Sequence, residues 1–309
     1  MQTNHYEISF LESFFISGFA AIISKTIAAP IERLKLLLQN QGEMIKQGKL
    51  DKTYKNAFDC MIRTYRNEGF LSFWRGNLAN CIRYFPTQAL NFAFKDKIKI
   101  LLQIDKKDSQ KIKLLKNILA GGIAGFISLP FVYSLDYART RLSNDILLSG
   151  NNGARQFKGL IDVYLKTIKT DGIVGLHRGF SISAFAMFFY RGAYFGIYDT
   201  MQPLMNKGKS NNFLKNFLLG YSITVFAGLA MYPLDSVRRR MMMRSGEVEK
   251  YKGSIDCFRN IVKTEGFGAL MKGAGVNIFR GIAGAGVLSF FDKFMEIYTG
   301  IKIKTSSTA

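Results

Sequence analysis

The sequence predicts an all-α membrane protein, with six transmembrane helices in three pseudo-symmetric repeats and one short amphipathic helix in each repeat. Three observations predict it. One spacing occurs three times: an aromatic, an acid five residues on, Gly ten after the acid and Gly seven later, as Tyr54…Asp59…Gly69…Gly76, Phe157…Asp162…Gly172…Gly179 and Tyr251…Asp256…Gly266…Gly273. A second element precedes it at the same period, as Pro30-x-Glu32-x-x-Lys35, Ser134-x-Asp136-x-x-Arg139 and Pro233-x-Asp235-x-x-Arg238. Finally, basic residues interrupt otherwise apolar stretches that are long enough to cross a bilayer.

The repeat sets the organisation. Motifs recurring in register roughly every hundred residues describe one tandem assembly rather than separate domains. The reading is a single domain over 1–309 with repeats 8–104, 112–206 and 212–302. Spans fall near 10–39, 77–101, 114–144, 181–203, 213–243 and 276–298. Hydropathy alone leaves most of them ambiguous, because Lys25, Arg83, Arg191 and Arg280 lie inside them. The motifs resolve the ambiguity: the Pro/Ser-acid element closes an apolar helix each time, and the aromatic-acid-Gly segment follows as a surface helix. Six spans put both termini on one side. The long loops are dense in Lys and Arg, which orients them toward the more negative compartment. Gly18, Gly121, Gly122, Gly125 and Gly228 would let helices approach closely.

Composition narrows the function. A charge of +21 requires an anionic partner. The charges are spread over loops rather than gathered on one module, which disfavours nucleic acid. Three cysteines and two histidines without ligand spacing give neither a disulfide framework nor a metal site. There is no Gly-rich phosphate loop ending in Lys-Ser/Thr and no nucleophile-base constellation, so hydrolysis and other enzyme chemistry are disfavoured. The first residues, MQTNHYEISF, resemble neither a secretory signal nor a transit peptide, so any organelle address is expected to be internal.

Charges at membrane depth survive only when they face a protein interior or a water-filled cavity. Within the second element the acid and base stand three residues apart on one helix face. Three such faces around an axis would form a ring of Glu32 with Arg139, Asp136 with Arg238 and Asp235 with Lys35. Ordinary surface pairs would contribute only ~0–1 kcal/mol, but such pairs have no reason to recur at the repeat period. A ring that closes a cavity and must break for passage is a gate. Pro30 and Pro233 kink their helices, and Ser134 gives the second unit a milder bend.

Departures from threefold symmetry mark where an asymmetric solute would be held. Arg83 and Arg280 share a repeat position that Ala186 fills in the second unit, and the counterparts of Lys25 are Leu129 and Gly228. Near Ala186 stand Tyr190, Arg191 and Tyr194, a wall suited to a planar ring. Snorkelling to headgroups or packing would be the mundane explanation for these residues. Fixed cations beside aromatics suit a phosphate-bearing aromatic solute.

Together these elements resemble the mitochondrial carrier family over nearly the whole chain. The run Arg238, Arg239, Arg240, Met241, Met242, Met243 is similar to the signature of its ADP/ATP carrier subgroup. Ser24-Lys-Thr26, Pro30-Ile-Glu-Arg33, Arg83 to Asn91 and Tyr190-Arg-Gly-Ala-Tyr194 fit the same subgroup. The resemblance implies an inner-membrane antiporter that exchanges ADP for ATP by alternating access, with both termini toward the intermembrane space and the short helices in the matrix. It implies phosphate binding by Lys25, Arg83 and Arg280 with help from Lys95 and Arg238, and adenine binding near Asn91, Tyr190, Ala186 and Met187. The ring becomes a matrix gate braced by Gln39. The implied bound lipid is cardiolipin, at helix starts around Arg75-Gly76, Arg178-Gly179 and Lys272-Gly273, and no other cofactor is implied. The family acts mostly as monomers, and association with respiratory complexes is left open.

The chain departs from the family at the opposite, cytoplasmic gate. There Asp96 with Lys99, Asp199 with Gln202, and Asp292 followed by Met295 retain only the Asp292–Lys99 pair of the usual ring. Ala186 and Met187 also replace the Gly-Ile pair expected of the adenine pocket. This predicts a weak cytoplasmic gate and a favoured cytoplasm-open state. Two alternatives stay open at this point: a carrier of another phosphorylated, nucleotide-like solute, and a transport-impaired subunit of a larger membrane assembly.

Overall fold

The structure, a computed structural model, describes residues 10–101, 110–147, 155–190, 213–247 and 249–281. Every regular element among them is helical. Three long helices, α1 (Phe10–Lys46), α4 (Gln110–Ser143) and α7 (Phe213–Met243), open the three units. Each is followed by a short helix: α2 (Ala57–Glu68), α5 (Leu160–Gly175) and α8 (Ser254–Glu265). A second helix of each unit then begins: α3 (Asn77–Leu101), α6 (Phe180–Tyr190) and α9 (274–281), the last two described only over these residues. Single 3₁₀ turns at Phe70–Trp74 and Phe267–Met271 lead into α3 and α9.

Every letter of the repeated spacing has a local cause. The acid lies in the first turn of the short helix and reaches back to the chain before it. Lys55 N donates to Asp59 Oδ2 at 3.0 Å, Lys158 N to Asp162 at 2.9 Å and Lys252 N to Asp256 at 2.9 Å. This caps a backbone donor and places negative charge at the positive end of the helix. In the first unit Asn56 Oδ1 also accepts Asp59 N at 2.8 Å, so a second amide at this helix start is satisfied. The first glycine, at 69, 172 or 266, leaves the helix with φ of 79°, 65° or 81°. In the second unit this break lies within α5, which continues to Gly175.

The second glycine is where units meet. Gly76, Gly179 and Gly273 have φ of 83°, 81° and 85°. A Cβ on each would begin 3.1, 3.2 and 3.0 Å from the carbonyl oxygens of Arg139, Arg238 and Lys35. Those are the bases of the next unit's Pro/Ser-acid element, so backbone lies against backbone around a closed circuit. Left-handed φ together with that close approach admits only glycine at low cost.

Three apolar clusters sit at this same end. One gathers Tyr133, Tyr137, Leu142, Phe157 and Val163 of the second unit with Met242 of the third. Another gathers Leu37, Met44, Tyr54 and Cys60 of the first unit with Ile146 and Met243. A smaller one holds Val237, Cys257, Ile261 and Leu270. Each fully buried aliphatic contributes about 1.5–3 kcal/mol. The aromatics that open the repeat, Tyr54 and Phe157, are buried here, which explains their place in the spacing.

Large apolar side chains of the long helices and of α6 face outward. Phe19, Phe126, Phe131, Phe188 and Phe226 are each more than half exposed. Inside, by contrast, Arg33, Gln39, Glu43 and Arg240 are fully or almost fully buried. This inversion suits lipid outside and a polar interior. It also explains why no single helix among the described residues is apolar enough to stand out as a membrane span, since each dilutes its apolar face with a polar one. Only α5 with α6, bent by 68° at their junction, reaches that threshold as a pair.

Several details differ from the expectation. Helix α1 runs on to Lys46, seven residues past the expected span, because buried Gln39, Asn40, Gln41 and Glu43 extend it into the polar network. In the second unit Ser134 does not bond back to the preceding turn; Tyr164 donates to its hydroxyl at 3.4 Å, and the proline of α4 is Pro130, one turn earlier. Gly18 does permit close approach, since a Cβ would begin 2.6 Å from the Phe85 ring. Gly228 faces open space and lines a cavity instead.

Candidate functional site: a charged ring beneath a basic cavity

The three Pro/Ser-acid elements converge, and their charges interlock between units. Lys35 Nζ lies 3.0 Å from Asp235 Oδ2, Arg238 Nη2 lies 2.6 Å from Asp136 Oδ2, and Arg139 bonds Glu32. Each of these pairs joins two units, as three helices around one axis require, and in the third unit Arg238 also lies 3.4 Å from its own unit's Asp235. Gln39 Nε2 donates to Asp235 Oδ2 at 3.2 Å and to Ser236 Oγ at 2.9 Å, tying α1 to α7 one turn beyond the Lys35–Asp235 pair.

Arg239 takes part as well, which the sequence reading missed. Its Nη1 lies 3.5 Å from Asp136 Oδ1 and its Nε 3.4 Å from Asp235 Oδ1, so it bridges two of the ring's carboxylates. The signal was the uninterrupted run of three arginines. Neighbours on a helix point about 100° apart, so the three cannot share one duty. Arg238 and Arg239 face the ring, whereas Arg240 turns away to Glu265, its Nη2 lying 2.8 Å from Oε2. Of the methionines that follow, Met242 and Met243 fill the clusters described above, and Met241 Sδ accepts the Ser254 hydroxyl at 3.4 Å.

Above the ring lies a cavity of about 350 Å³. Arg280, Arg238, Ala186, Met187 and Tyr190 line it, five of the eleven expected contacts of an asymmetric solute, whereas Lys25 and Arg83 are not among its lining residues. Tyr221, Thr224 and Asn277 line it too, without a signal in the sequence beyond their helical faces. Arg83 and Arg280 hold matched positions, each bonding the asparagine three residues earlier, Asn80 at 3.4 Å and Asn277 at 3.1 Å. Each also leans on a ring acid, Arg83 on Asp136 at 3.8 Å and Arg280 on Glu32 at 3.7 Å. Lys25 Nζ lies over the Tyr84 ring at 5.8 Å. Asn91, Lys95, Asp96 and Lys99 fall in the C-terminal half of α3. Arg191, Tyr194, Asp199, Gln202 and Asp292 lie outside the described residues.

The charge balance at this centre is the informative quantity. Six cations (Lys35, Arg83, Arg139, Arg238, Arg239 and Arg280) share three carboxylates, Glu32, Asp136 and Asp235. Cations in that excess, held in a partly dry cavity, favour a multiply charged anion.

The expected lipid sites are only partly free. Arg75 binds Asp145 and the Phe157 carbonyl, and Arg178 Nε lies 3.0 Å from Asp171 Oδ2, so both guanidinium groups already serve protein partners. Trp74 Nε1 donates to Thr26 O at 2.8 Å, and His177 Nε2 faces the matching carbonyl of Pro130 at 3.1 Å.

Among the described residues outside the ring, Asp171 is the most heavily coordinated acid. Burial works against its charge, but Lys250, the Gly246 amide and Arg178 outweigh that and hold its carboxyl at about 2. Burial pushes the Cys60 and Cys257 thiols up to about 12, which leaves them as inert core residues.

The description "Mitochondrial carrier protein" matches three successive segments, 6–106, 110–209 and 209–302. The chain belongs to the mitochondrial carrier family. This carrier is 56% identical over 300 residues to an ADP/ATP translocase of Thermothelomyces thermophilus, covering 96% of this chain and 95% of that one. It is 54% identical over 299 residues to ADP,ATP carrier protein 3 of Saccharomyces cerevisiae, covering 96% and 97%. To an ADP,ATP carrier protein of Chlamydomonas reinhardtii it is 56% identical over 298 residues, again covering 96% and 97%. By family, it is a transporter rather than an enzyme.

Proposed function

We propose that this carrier exchanges ADP for ATP across the mitochondrial inner membrane by alternating access. The observation that carries the reading is the closed three-pair ring directly beneath a basic, aromatic-walled cavity. The high, near full-length identity to proteins named for ADP and ATP supports the choice of solute over another phosphorylated one.

In this reading the three units supply six spans, the short helices lie on the matrix side and both termini face the intermembrane space. Arg83, Arg280 and Lys25 hold phosphates, assisted by Lys95 and Arg238. Tyr190 packs on the adenine beside Ala186, Met187 and Asn91, with Arg191 and Tyr194 completing that wall. Phosphate oxygens compete with Glu32 and Asp136 for Arg280 and Arg83. That competition loosens the ring from above, and bound nucleotide thereby couples to opening of the matrix gate. A second gate on the cytoplasmic side, built on Asp96, Lys99, Asp199, Gln202 and Asp292, closes in turn. Cardiolipin phosphates bind at the starts of α3, α6 and α9, where free backbone amides favour anions. The carrier works as a monomer.

Purified carrier in liposomes tests this. Labelled ADP is expected to enter only vesicles preloaded with ADP or ATP, one molecule for one, without phosphate release. Lys25→Ala, Arg83→Ala and Arg280→Ala are each expected to lower exchange about ten- to hundredfold, the loss of one charge-assisted contact of about 1.5–3 kcal/mol. Uptake into empty vesicles at the same rate, or indifference to all three substitutions, would overturn the assignment.

A further inference from the structure

One polar cluster belongs neither to the repeated motif nor to the ring. Glu247 lies just beyond the end of α7. Lys49 of the first unit reaches its Oε1 at 3.3 Å, and Arg141 of the second unit comes within 3.7 Å of the same oxygen. Lys49 also donates to Gln47 Oε1 at 2.7 Å and to Gln156 Oε1 at 3.0 Å, the latter in the second unit. Beside them the carbonyl of Met243, the last residue of α7, accepts Gln47 Nε2 at 3.0 Å and the Arg141 guanidinium. Carbonyls at the C-terminal end of a helix lack intrahelical partners and carry partial negative charge. Here donors from both other units satisfy one of them. One carboxylate and one carbonyl of the third unit thus join all three units at a single point.

The location gives the cluster its meaning. Arg139 of the ring and Arg141 of the cluster sit two residues apart on α4, while Arg238 and Met243 sit five apart on α7. Helices are stiff over such distances. Spreading α4 from α7 far enough to part Arg238 from Asp136 therefore pulls Arg141 from Met243 and Glu247. Arg141 is almost fully buried and Lys49 largely so, and contacts of that kind are weakly screened by salt.

We propose that Glu247, Lys49 and Arg141 form a second closure on the matrix side, which must part together with the ring whenever the cavity opens toward the matrix. The proposal rests on the alternating-access reading. Its parts are not those of the threefold motif: one acid serves two cations from two units.

The test joins the two sides covalently in the full chain. Lys49→Cys is combined with Glu247→Cys, bridged in liposomes with a short, reducible bis-thiosulfonate, and labelled ADP exchange is measured before and after reduction. Bridging is expected to cut exchange about tenfold or more relative to the untreated double-cysteine carrier, with recovery on reduction, whereas the reagent is expected to leave each single-cysteine variant at its own pre-treatment rate. Exchange that continues through an intact bridge overturns the proposal, as does failure of the two thiols to bridge. Absence of ADP exchange in the unsubstituted chain would sink the exchange reading instead. Independently, Glu247→Gln and Lys49→Gln are expected to lower the melting temperature non-additively, and additive shifts would count against the coupling.

Discussion

A side chain placed on Gly76 would begin 3.1 Å from the carbonyl oxygen of Arg139 and 2.5 Å from the hydroxyl of Ser143, both in the next unit. Gly76→Ala is therefore expected to destabilise the fold by about 1–3 kcal/mol, from the left-handed backbone and the displaced contact together. Thermal unfolding of the detergent-solubilised carrier reads this. Gly69→Ala, with a similar φ but nothing within 4 Å, isolates the backbone share and should cost less.

Asp136 has three cations within 4 Å, Arg238, Arg239 and Arg83. Asp136→Asn leaves buried guanidinium groups without their counter-charge, and removing one partner of a buried pair costs about 3–5 kcal/mol. A large fall in melting temperature is expected. Arg239→Gln should cost less than Arg238→Gln, because Arg238 is closer to Asp136, at 2.6 Å against 3.5 Å. The reverse order would show that the bridging arginine dominates.

Asp171, in α5, gives a pH signature away from the ring. Its folded-state carboxyl, at about 2, lies below the ordinary value of 3.8, so the unfolded chain takes up the proton first. The stability it contributes is complete above about pH 4 and is lost as pH falls toward about 2. Asp171→Asn should lower the melting temperature at pH 6, and the gap to the parent chain should narrow as pH falls through that window. A gap independent of pH would mean that packing, not charge, sets the effect.

The caps offer a smaller test. Asp256 accepts the Lys252 amide at 2.9 Å, and Asp256→Ala is expected to cost about 1 kcal/mol. Amide exchange in 254–265 should quicken before other helices respond.

Much of this site was legible because repetition made it so. The pairs Glu32–Arg139, Asp136–Arg238 and Asp235–Lys35 followed from two facts, an i,i+3 spacing and a period, and neither requires knowledge of packing. Arg239 was hidden by its own neighbours, since a run of like residues does not say which way each one points. Lys49 and Glu247 were hidden for the opposite reason: they occupy loops without helical periodicity, and only the chain's path in space brings them together. In the second unit Ser134 occupies the proline's position in the motif, and the proline inside α4 is Pro130, one turn earlier.

Met242 and Met243 are adjacent in sequence yet lodge in different seams, one against the second unit and the other against the first. Because consecutive side chains on a helix diverge by about 100°, α7 ends as a wedge gripping both neighbours at once. Turning this end of the helix would loosen both joints together. Thioethers are supple enough to reseat afterwards without a matched socket, which lets the same wedge be withdrawn and driven home every cycle.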